Sequence, residues 1–234
     1  MTARSPYPLV MDTVVIGASG GIGSALASLY EAAVDRVVRL SRVEGTIDLA
    51  DPASIAAAAA ALPFASVQRL VVATGLLHDD QLAPERSLRD LDADRLGRSF
   101  LINAIGPALV LRHFVPLLAR SGRIEVALLS ARVGSIADNR LGGWYGYRAS
   151  KAALNQIVRT AATEIARSRP EAVLVALHPG TVDTEMSKPF QANVAPERLF
   201  APSKAAAYLS TVLARLTPAD SGGFFDWKGK AIPF

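Results

Sequence analysis

Two kinds of segment alternate along the chain. Short apolar runs rich in valine, leucine and isoleucine and bounded by glycine or polar residues are typical of buried strands. Clear runs of this kind lie at residues 12–17, 36–40, 67–75, 122–130 and 172–180, and shorter candidates lie at 46–51 and near Phe224 and Phe225. The segments between them have helical composition and cover residues 24–33, 52–62, 92–120, 144–167 and 203–216.

Local signals support the predicted helices. Asp51 precedes Pro52 as an N-cap precedes proline at the first helical position, and alanine, which dominates this helix, is the strongest helix former. Pro107 and Pro116 lack a backbone N–H and are expected to bend or interrupt the helix at 92–120.

Alternating strands and helices form right-handed βαβ units, which give a parallel sheet with helices on both faces. No linker or repeat divides the sequence, so we predict one α/β domain over residues 1–234. Ligands of such sheets bind beyond the carboxyl ends of the strands. Glycine-rich or polar segments follow the strands there: GASGGIG, LSR, ATG, SARVGS and HPGTVDT. Their convergence on one edge predicts a site for a large cofactor.

The composition excludes several classes of function. The chain has no cysteine, which excludes disulfides and thiolate metal sites. Its histidines, His78, His113 and His178, lack metal-ligand spacing, so we predict structural or surface roles for them and no metal. The net charge of +4 is spread without a basic run, which disfavours nucleic-acid binding.

We expect a cytoplasmic protein without a membrane partner. No stretch approaches about 18 uninterrupted apolar residues, the length of a membrane span. Residues 1–12 contain Pro6 and Pro8 and no continuous apolar segment, which is not typical of a signal peptide.

The glycine loop GASGGIG, residues 17–23, stands between a predicted strand and a predicted helix. Glycine lets the backbone approach a diphosphate, and the following helix N-terminus offers free N–H groups and a positive dipole end. Its spacing, G-x-x-x-G-x-G, differs from the more common G-x-G-x-x-G fingerprint, and no Gly-Lys-Ser/Thr of a P-loop follows.

Two other interpretations of this loop stay open. It can be a tight turn that binds nothing, or the G-x-S-x-G nucleophile elbow of an α/β-hydrolase with Ser19 as nucleophile. The hydrolase needs an acid and then a histidine, an order that Asp79 or Asp80 with His113 or His178 satisfies. His113 lies inside a predicted helix and no histidine follows the last major strand, which weakens this interpretation.

Tyr147 and Lys151 are four residues apart in YGYRASKAAL and share one face of the predicted helix. A phenol has a pKa of about 10, which a nearby ammonium lowers by stabilising the phenolate. The pair can therefore act as a general acid and base. A Tyr-x-x-x-Lys pair on its own is more often two solvated surface residues.

The order of the glycine loop, Ser130, Tyr147/Lys151 and PGTVDT resembles the short-chain dehydrogenase/reductase family over nearly the whole chain. SARVGSIADNRLGGWYGYRASKAALN and ALHPGTVDTEMSKPF are similar to the subgroup of sniffer-type carbonyl reductases and C-factor signalling proteins. The resemblance implies a Rossmann-like, doubly wound, mainly parallel seven-stranded sheet and a nicotinamide cofactor.

The resemblance also implies a role for each matching residue. Tyr147 exchanges the hydroxyl proton, and Lys151 binds the nicotinamide ribose and depresses the tyrosine pKa. Ser130 bonds the substrate oxygen, and Asn103 anchors a water of a proton relay. The implied cofactor residues are Gly17, Ser19, Gly21, Ile22 and Gly23 at the diphosphate, Asp48 and Leu49 at the adenine, Gly75 after the next strand, Pro179, Gly180, Val182 and Thr184 toward the nicotinamide, and Tyr147 and Lys151 themselves.

The sequence departs from the family pattern in two places. The expected NNAG is VATG here, at residues 72–75, so its stabilising asparagine is absent. The serine is further from Tyr147 than usual, and Ala131 takes its place when Gly134 anchors the alignment. Ser130 is therefore the first candidate for the substrate-oxygen donor and Ser135 the second.

Ser41 and Arg42 follow the second strand, with Glu44 further on and no acidic residue at the strand tip. An acidic residue at this tip accepts from the ribose 2′-OH of NAD, whereas arginine accommodates the 2′-phosphate of NADP. Arginine suits a phosphate because its planar fork donates two parallel hydrogen bonds. We therefore predict NADP(H), bound by Ser41 and Arg42.

The sequence thus predicts an NADP-dependent oxidoreductase that transfers a hydride between nicotinamide and a carbonyl or alcohol. A cofactor-binding regulatory or signalling protein with little turnover is the open alternative. Residues 186–200 have the position of a substrate lid, and Trp144 is either pocket wall or helix-entry packing. We expect a small-molecule substrate and a homodimer or homotetramer.

Overall fold

A computed structural model describes residues 10–64 and 66–234. Within them, a parallel sheet of six strands has the order β2-β1-β3-β4-β5-β8, and β6 pairs with β7 in a separate small sheet. The strands are β1 (Asp12–Ile16), β2 (Arg36–Leu40), β3 (Arg69–Val72), β4 (Ile124–Leu129), β5 (Ala172–His178), β6 (Thr181–Val182), β7 (Leu199–Phe200) and β8 (Phe224–Asp226).

Helices cover both faces of the sheet. They are α1 (Gly21–Ala32), α2 (Pro52–Ala60), α3 (Ala93–Phe100), α4 (Gly106–Phe114), α5 (Tyr145–Ile165) and α6 (Pro202–Arg215). Successive strand residues point to opposite faces: Val14 packs in the core under α2, α4 and α5, whereas Val15 packs in the core under α1 and α6. The predicted doubly wound α/β fold is confirmed.

The predicted third strand at residues 46–51 does not form, so the main sheet has six strands instead of seven. Local hydrogen bonds satisfy this segment's backbone: the Thr46 N–H donates to the Ser41 carbonyl oxygen at 3.1 Å, and Ser54 Oγ accepts from the Asp48 N–H at 2.9 Å. Ile47 and Leu49 are still buried. The burial expected for the apolar residues is therefore observed, but local hydrogen bonds take the place of pairing with a neighbouring strand.

The predicted helix at 92–120 is divided at Leu101–Ile105, which forms a π-helical turn, and it ends in a 3₁₀ turn at Val115–Leu117. Pro107 and Pro116 lie in the first turn of a new helical segment, where a missing N–H costs little. Ala93–Leu117 is long and apolar enough to cross a membrane, but helices in the core of a globular domain meet the same two criteria. Here Val110 and Phe114 of this stretch pack into the core.

Asp51 caps α2 as predicted, since its side chain accepts from the Ala53 N–H at 2.9 Å. The short strand predicted near Phe224 and Phe225 is β8. The interpretation of the N-terminal segment rests largely on residues 1–9, which lie outside the described part of the chain.

Candidate active site

A cavity of about 700 Å³ lies at the carboxyl ends of the strands. Residues at or just beyond five strand ends contribute to it: Gly17 after β1, Ser41 after β2, Thr74 after β3, Ser130 after β4 and Pro179 after β5. The convergence expected from the sequence therefore produces a real cavity, with a volume in the range of ligand sites.

Most predicted site residues line this cavity. They are Gly17, Ser19, Ile22, Ser41, Arg42, Asp48, Leu49, Gly75, Ser130, Tyr147, Lys151 and Pro179. The others are not part of its wall and are Gly21, Gly23, Asn103, Gly180, Val182 and Thr184. Of these, Gly23 packs on Gly17 and Asn103 lies beside Gly75, both of which belong to the wall.

The glycine loop needs its glycines for close packing. Gly17 has a φ of 85°, and a Cβ at Gly23 would lie 2.1 Å from the Gly17 carbonyl oxygen. A Cβ at Gly21 would lie 2.8 Å from Thr184 Cγ2, so the loop packs directly on the PGTVDT segment. The loop and the N-terminus of α1 form the cradle that a diphosphate requires.

The side chains present also fit the rest of a dinucleotide. Arg42 is exposed and lines the cavity, whereas Glu44 does not. Thr74 Oγ1, on the cavity wall, is buried without a hydrogen-bond partner among the described residues. A buried hydroxyl of this kind needs a partner. Thr74 belongs to the VATG segment, residues 72–75, which lacks the asparagine of the family pattern.

Tyr147 and Lys151 lie on one face of α5, as predicted. Lys151 Nζ is 5.9 Å from the Tyr147 ring centre and donates to the Leu129 carbonyl oxygen at 2.8 Å. Gly134 makes this approach possible, because a Cβ there would lie 2.8 Å from Lys151 Cβ.

The pKa of the Tyr147 phenol differs in direction from the prediction. Burial raises it to about 12, and burial lowers the pKa of the Lys151 ammonium to about 7. The expected lowering by Lys151 is not found in this arrangement, because its Nζ bonds a carbonyl and desolvation dominates both groups.

Asn103 is fully buried in the π-helical turn, a feature frequent at functional sites. Its Oδ1 accepts from the Leu76 N–H at 2.7 Å, and its Nδ2 donates to the Leu76 carbonyl at 2.8 Å and to Ser150 Oγ at 3.1 Å. Ser150 Oγ in turn bonds the Tyr147 carbonyl at 3.0 Å. The Asn103 side chain thus ties the loop after β3 to the helix that carries Tyr147.

The two candidate serines differ in position. Ser130 lines the cavity, and its Oγ donates to Asn155 Oδ1 at 2.7 Å. Ser135 is buried, accepts from the Asp138 N–H at 3.1 Å and is not part of the cavity wall. The geometry favours Ser130, with Asn155 holding its hydroxyl.

A row of ring contacts leads from Tyr147 through Trp144 and Phe190 to His78. Trp144 lies edge-on to Tyr147 at 6.3 Å and to Phe190 at 4.9 Å between ring centres, and Phe190 meets His78 at 5.7 Å. His78 Nε2 is 3.0 Å from the Met186 carbonyl oxygen. The segment expected to be a lid therefore contacts both the start of α5 and the loop after β3.

Sequence reasoning missed several of these residues. His78 lines the cavity rather than serving only a structural or surface role, and no individual role was predicted for Thr74 or Phe190. Each depends on a contact between segments distant in sequence. Only the unmatched VATG drew attention to Thr74.

Comparison with known proteins agrees with this geometry. Residues 44–195 match the family described as short chain dehydrogenase. The 1-hydroxy-2-glutathionyl-2-methyl-3-butene dehydrogenase of Rhodococcus sp. (strain AD45) is 31% identical over 92% of this chain and 96% of that protein. The chain therefore belongs to the short-chain dehydrogenase/reductase family, and it is an oxidoreductase of that family.

Two further proteins are similar to this chain. C-signal of Myxococcus xanthus is 40% identical over 63% of this chain and 84% of that protein. A short-chain dehydrogenase/reductase from Burkholderia multivorans, solved with bound NADP, is 26% identical with a TM-score of 0.74, covering 96% of this chain and 100% of that one. Both agree with the resemblance noted in the sequence, and membership of the family replaces the hydrolase interpretation.

Proposed function

We propose that this protein is an NADP(H)-dependent reductase of carbonyl compounds, or in reverse a dehydrogenase of the corresponding alcohols. The observation that carries the proposal is the placement of Tyr147, Lys151 and Ser130 in one cavity with Arg42 at the end of β2. The Burkholderia relative, with its bound NADP, supports the choice of cofactor.

The residues divide the work as follows. Bound nicotinamide supplies or accepts the hydride. The Tyr147 hydroxyl donates its proton to the substrate oxygen as negative charge develops there. Ser130 Oγ lies in the same cavity, and its proton, which it donates to Asn155 Oδ1 at 2.7 Å, is proposed to turn to the substrate oxygen when substrate binds. Lys151, whose Nζ donates to the Leu129 carbonyl oxygen at the end of β4, is proposed to bind the nicotinamide ribose.

Arg42 is proposed to bind the 2′-phosphate. Residues at the tip of the second strand meet the adenosine ribose in such sheets, and Ser41 beside it is buried with its Oγ accepting from the Glu44 N–H at 3.2 Å. The Ser41 hydroxyl proton is therefore available to the phosphate. One charge-assisted hydrogen bond is worth about 1.5–3 kcal/mol, equivalent to roughly ten- to hundredfold in affinity.

The experiment measures turnover and cofactor affinity separately. Purified protein is mixed with NADPH and a panel of aldehydes, ketones and quinones, and carbonyl-dependent oxidation of NADPH supports the proposal. Dissociation constants of NADPH and NADH are then compared for wild type and Arg42→Asp. Wild type should prefer NADPH, and the variant should lose or reverse the preference.

Arg39 provides a matched control on the same strand. It bonds Glu31 at 2.7 Å and does not line the cavity, so Arg39→Gln should keep the NADPH preference. Equal affinities in wild type, or an unchanged ratio in Arg42→Asp, would refute the role of Arg42.

The alternative is a cofactor-binding signalling protein with little turnover, and the similarity to C-signal is the observation that favours it. Tight NADPH binding without carbonyl-dependent oxidation across the panel would favour it. A cytoplasmic location and a homodimer or homotetramer are part of the proposal; fractionation and light scattering after size exclusion test them.

A further inference from the structure

The start of α5 has no cap from its own segment. Tyr147 is the third residue of this helix, and the first N–H groups of a helix have no partner inside it. An N-cap residue normally has extended backbone and a side-chain oxygen that accepts from one of these N–H groups. Trp144 stands at this position with a left-handed φ of 54° and no side-chain cap, and the first turn of α5 has no acidic residue. The turn that carries Tyr147 therefore needs a cap from another part of the chain.

Glu85 supplies this cap from the segment between β3 and α3. Its Oε2 accepts from the Gly146 N–H at 3.1 Å, and its carbonyl oxygen accepts from the Trp144 N–H at 2.6 Å. Trp144 and Gly146 flank the first residue of α5, so Glu85 bonds the backbone on both sides of the helix start. Left-handed backbone of the kind found at Trp144 persists only where surrounding contacts enforce it.

The Glu85 carboxylate is buried without a cation. The residue is 5% exposed, and none of the ion pairs within residues 10–64 and 66–234 includes it. Acidic residues are rarely buried unless they are paired. Here the free N–H groups and the positive dipole end of α5 take the place of the cation. The helix start is therefore the reason that an acid is buried at this position.

Gly146 permits the close approach of this carboxylate. A Cβ at Gly146 would lie 2.8 Å from Glu85 Oε1 and 3.2 Å from Leu96 Cδ2 of α3. A larger residue would push the carboxylate, the flexible end of its side chain, away from α5. Glycine is otherwise unfavourable inside a helix. The approach of Glu85 thus explains a glycine directly before Tyr147.

The segment after β3 is also held at a second point. Asn103 bonds the N–H and the carbonyl oxygen of Leu76 and donates to Ser150 Oγ, which in turn bonds the Tyr147 carbonyl oxygen. This segment therefore meets α5 on both sides of Tyr147. Glu85 fixes the amide before the tyrosine, and the Asn103 network fixes the carbonyl after it.

We infer that Glu85 is a positioning residue for the proposed carbonyl reduction: it caps α5 across the fold and so fixes the Tyr147 hydroxyl at the reacting oxygen. The inference rests on the proposed function. Glu85 is absent from the described residues that line the cavity, so it acts through the backbone of α5. A displacement of about 1 Å at a reacting group lowers a rate by as much as about a hundredfold.

The test measures kcat, KM and NADPH affinity for Glu85→Ala and Glu85→Gln. Glu85→Ala should lower kcat by about ten- to a hundredfold, while KM and the NADPH dissociation constant stay within about twofold of wild type. Glu85→Gln keeps an oxygen that accepts from the Gly146 N–H, so it should restore most of the lost kcat. Wild-type kcat in Glu85→Ala, or equal losses in both variants, would overturn the inference.

Asp92 provides a matched control. Its exposed side chain caps α3 by accepting from the Arg95 N–H at 3.0 Å. Asp92→Ala removes a cap of the same chemistry, so it should lower the melting temperature and leave kcat unchanged. A fall in kcat as large as that of Glu85→Ala would show that the loss of any cap slows the reaction, which would overturn the specific role of Glu85.

Gly146→Ala covers the case in which Glu85→Ala does not fold. Alanine favours a helix more than glycine does, but its Cβ would displace the Glu85 carboxylate. We expect a folded protein whose kcat is lowered about tenfold with little change in KM. Unchanged kcat in this variant would contradict positioning by Glu85.

Hydrogen exchange separates this inference from the proposed function, because it needs no substrate. The Gly146 amide should exchange at least about tenfold faster in Glu85→Ala, or in Gly146→Ala at the same amide, than in wild type. Equal exchange rates would overturn the cap and leave carbonyl reduction standing. No turnover of any carbonyl compound by wild type would overturn the proposed function and the positioning role with it.

Discussion

Buried polar groups at the amino ends of the main-sheet strands differ in their partners from those at the carboxyl ends. At the amino ends of the strands, Arg69 pairs with Asp35 and with Glu125, the latter at 2.8 Å, and Arg123 also bonds Glu125 at 2.6 Å. At the carboxyl ends, Lys151 is buried without an ion pair in the described part of the chain and bonds only a carbonyl oxygen.

The pKa values reflect this difference. Desolvation alone lowers the pKa of Lys151 to about 7 and raises that of Tyr147 to about 12. Burial also raises the pKa of Tyr30, at the amino edge, to about 12, but there Arg69 opposes it and lies 4.1 Å from the ring centre. In this amino-end cluster each buried charge has an opposite partner, and removing one partner is costly, whereas the buried groups without such a partner at the carboxyl ends have perturbed pKa values of the kind found at functional sites.

The largest expected effect is the loss of turnover in Tyr147→Phe. The ring and its packing are kept while the proton donor is removed, so turnover should fall about a hundred- to ten-thousandfold with little change in NADPH affinity or thermal stability. Single-substrate kinetics and cofactor titration check this. Near-normal turnover on a verified substrate would contradict the assignment of Tyr147.

Arg69→Met should lower stability and leave turnover nearly unchanged, the reverse of Tyr147→Phe. Removing the cation leaves the buried Asp35 carboxylate without its ion pair and Glu125 with Arg123 as its remaining cation, which should lower the free energy of unfolding by about 3–5 kcal/mol. Turnover measured well below the melting temperature should stay close to that of wild type.

The control for this variant is Arg39→Met, which removes an exposed ion pair with Glu31 and should cost about 0–1 kcal/mol. Urea denaturation of both variants gives the comparison. Equal losses would mean that the amino-end cluster contributes no more than a surface pair.

Ser130→Ala should remove about 3 kcal/mol of transition-state stabilisation, which lowers turnover on the order of a hundredfold. Ser135→Ala should change turnover little. Ser130 lines the cavity and Ser135 does not. Steady-state kinetics on the two variants decide between them, and a larger loss in Ser135→Ala would transfer the role to that serine.

The smallest effect is a change in the pH dependence of stability. The pKa of Lys151 is about 7 when folded and about 10.4 when unfolded. Between these values the unfolded chain holds a proton that the folded chain lacks, so this lysine makes stability rise with pH. Between pH 7.5 and 9.5, ΔG of unfolding should rise about 1 kcal/mol per pH unit more steeply in wild type than in Lys151→Met. Identical slopes would show that the pKa is not depressed.

The sequence determined the parts that depend on local pattern. Apolar runs of the right length gave the strands, because a parallel strand covered on both faces must be apolar throughout. The four-residue spacing placed Tyr147 and Lys151 on one helix face, and the position of GASGGIG between strand and helix placed the phosphate loop.

Local pattern failed where hydrogen bonds or packing between distant segments decided the outcome. Residues 46–51 have strand-like composition, yet the Ser41 carbonyl and the Ser54 hydroxyl accept from that backbone locally and no ladder forms. Proximity in sequence also suggested that Lys151 lowers the Tyr147 pKa, but desolvation by the assembled fold sets its direction.

The composition, alternation and spacing of residues by themselves determined the doubly wound sheet, the edge that carries the site and the two residues at its centre. Only the tertiary structure decided that Ser130 and not Ser135 lines the cavity, that Glu85 holds the strained turn at Trp144, and that Phe190 closes the gap between Trp144 and His78. The physical reason is that periodicity records which side of an element is buried, whereas the partner across the boundary belongs to another part of the chain and is chosen by packing and hydrogen-bond geometry.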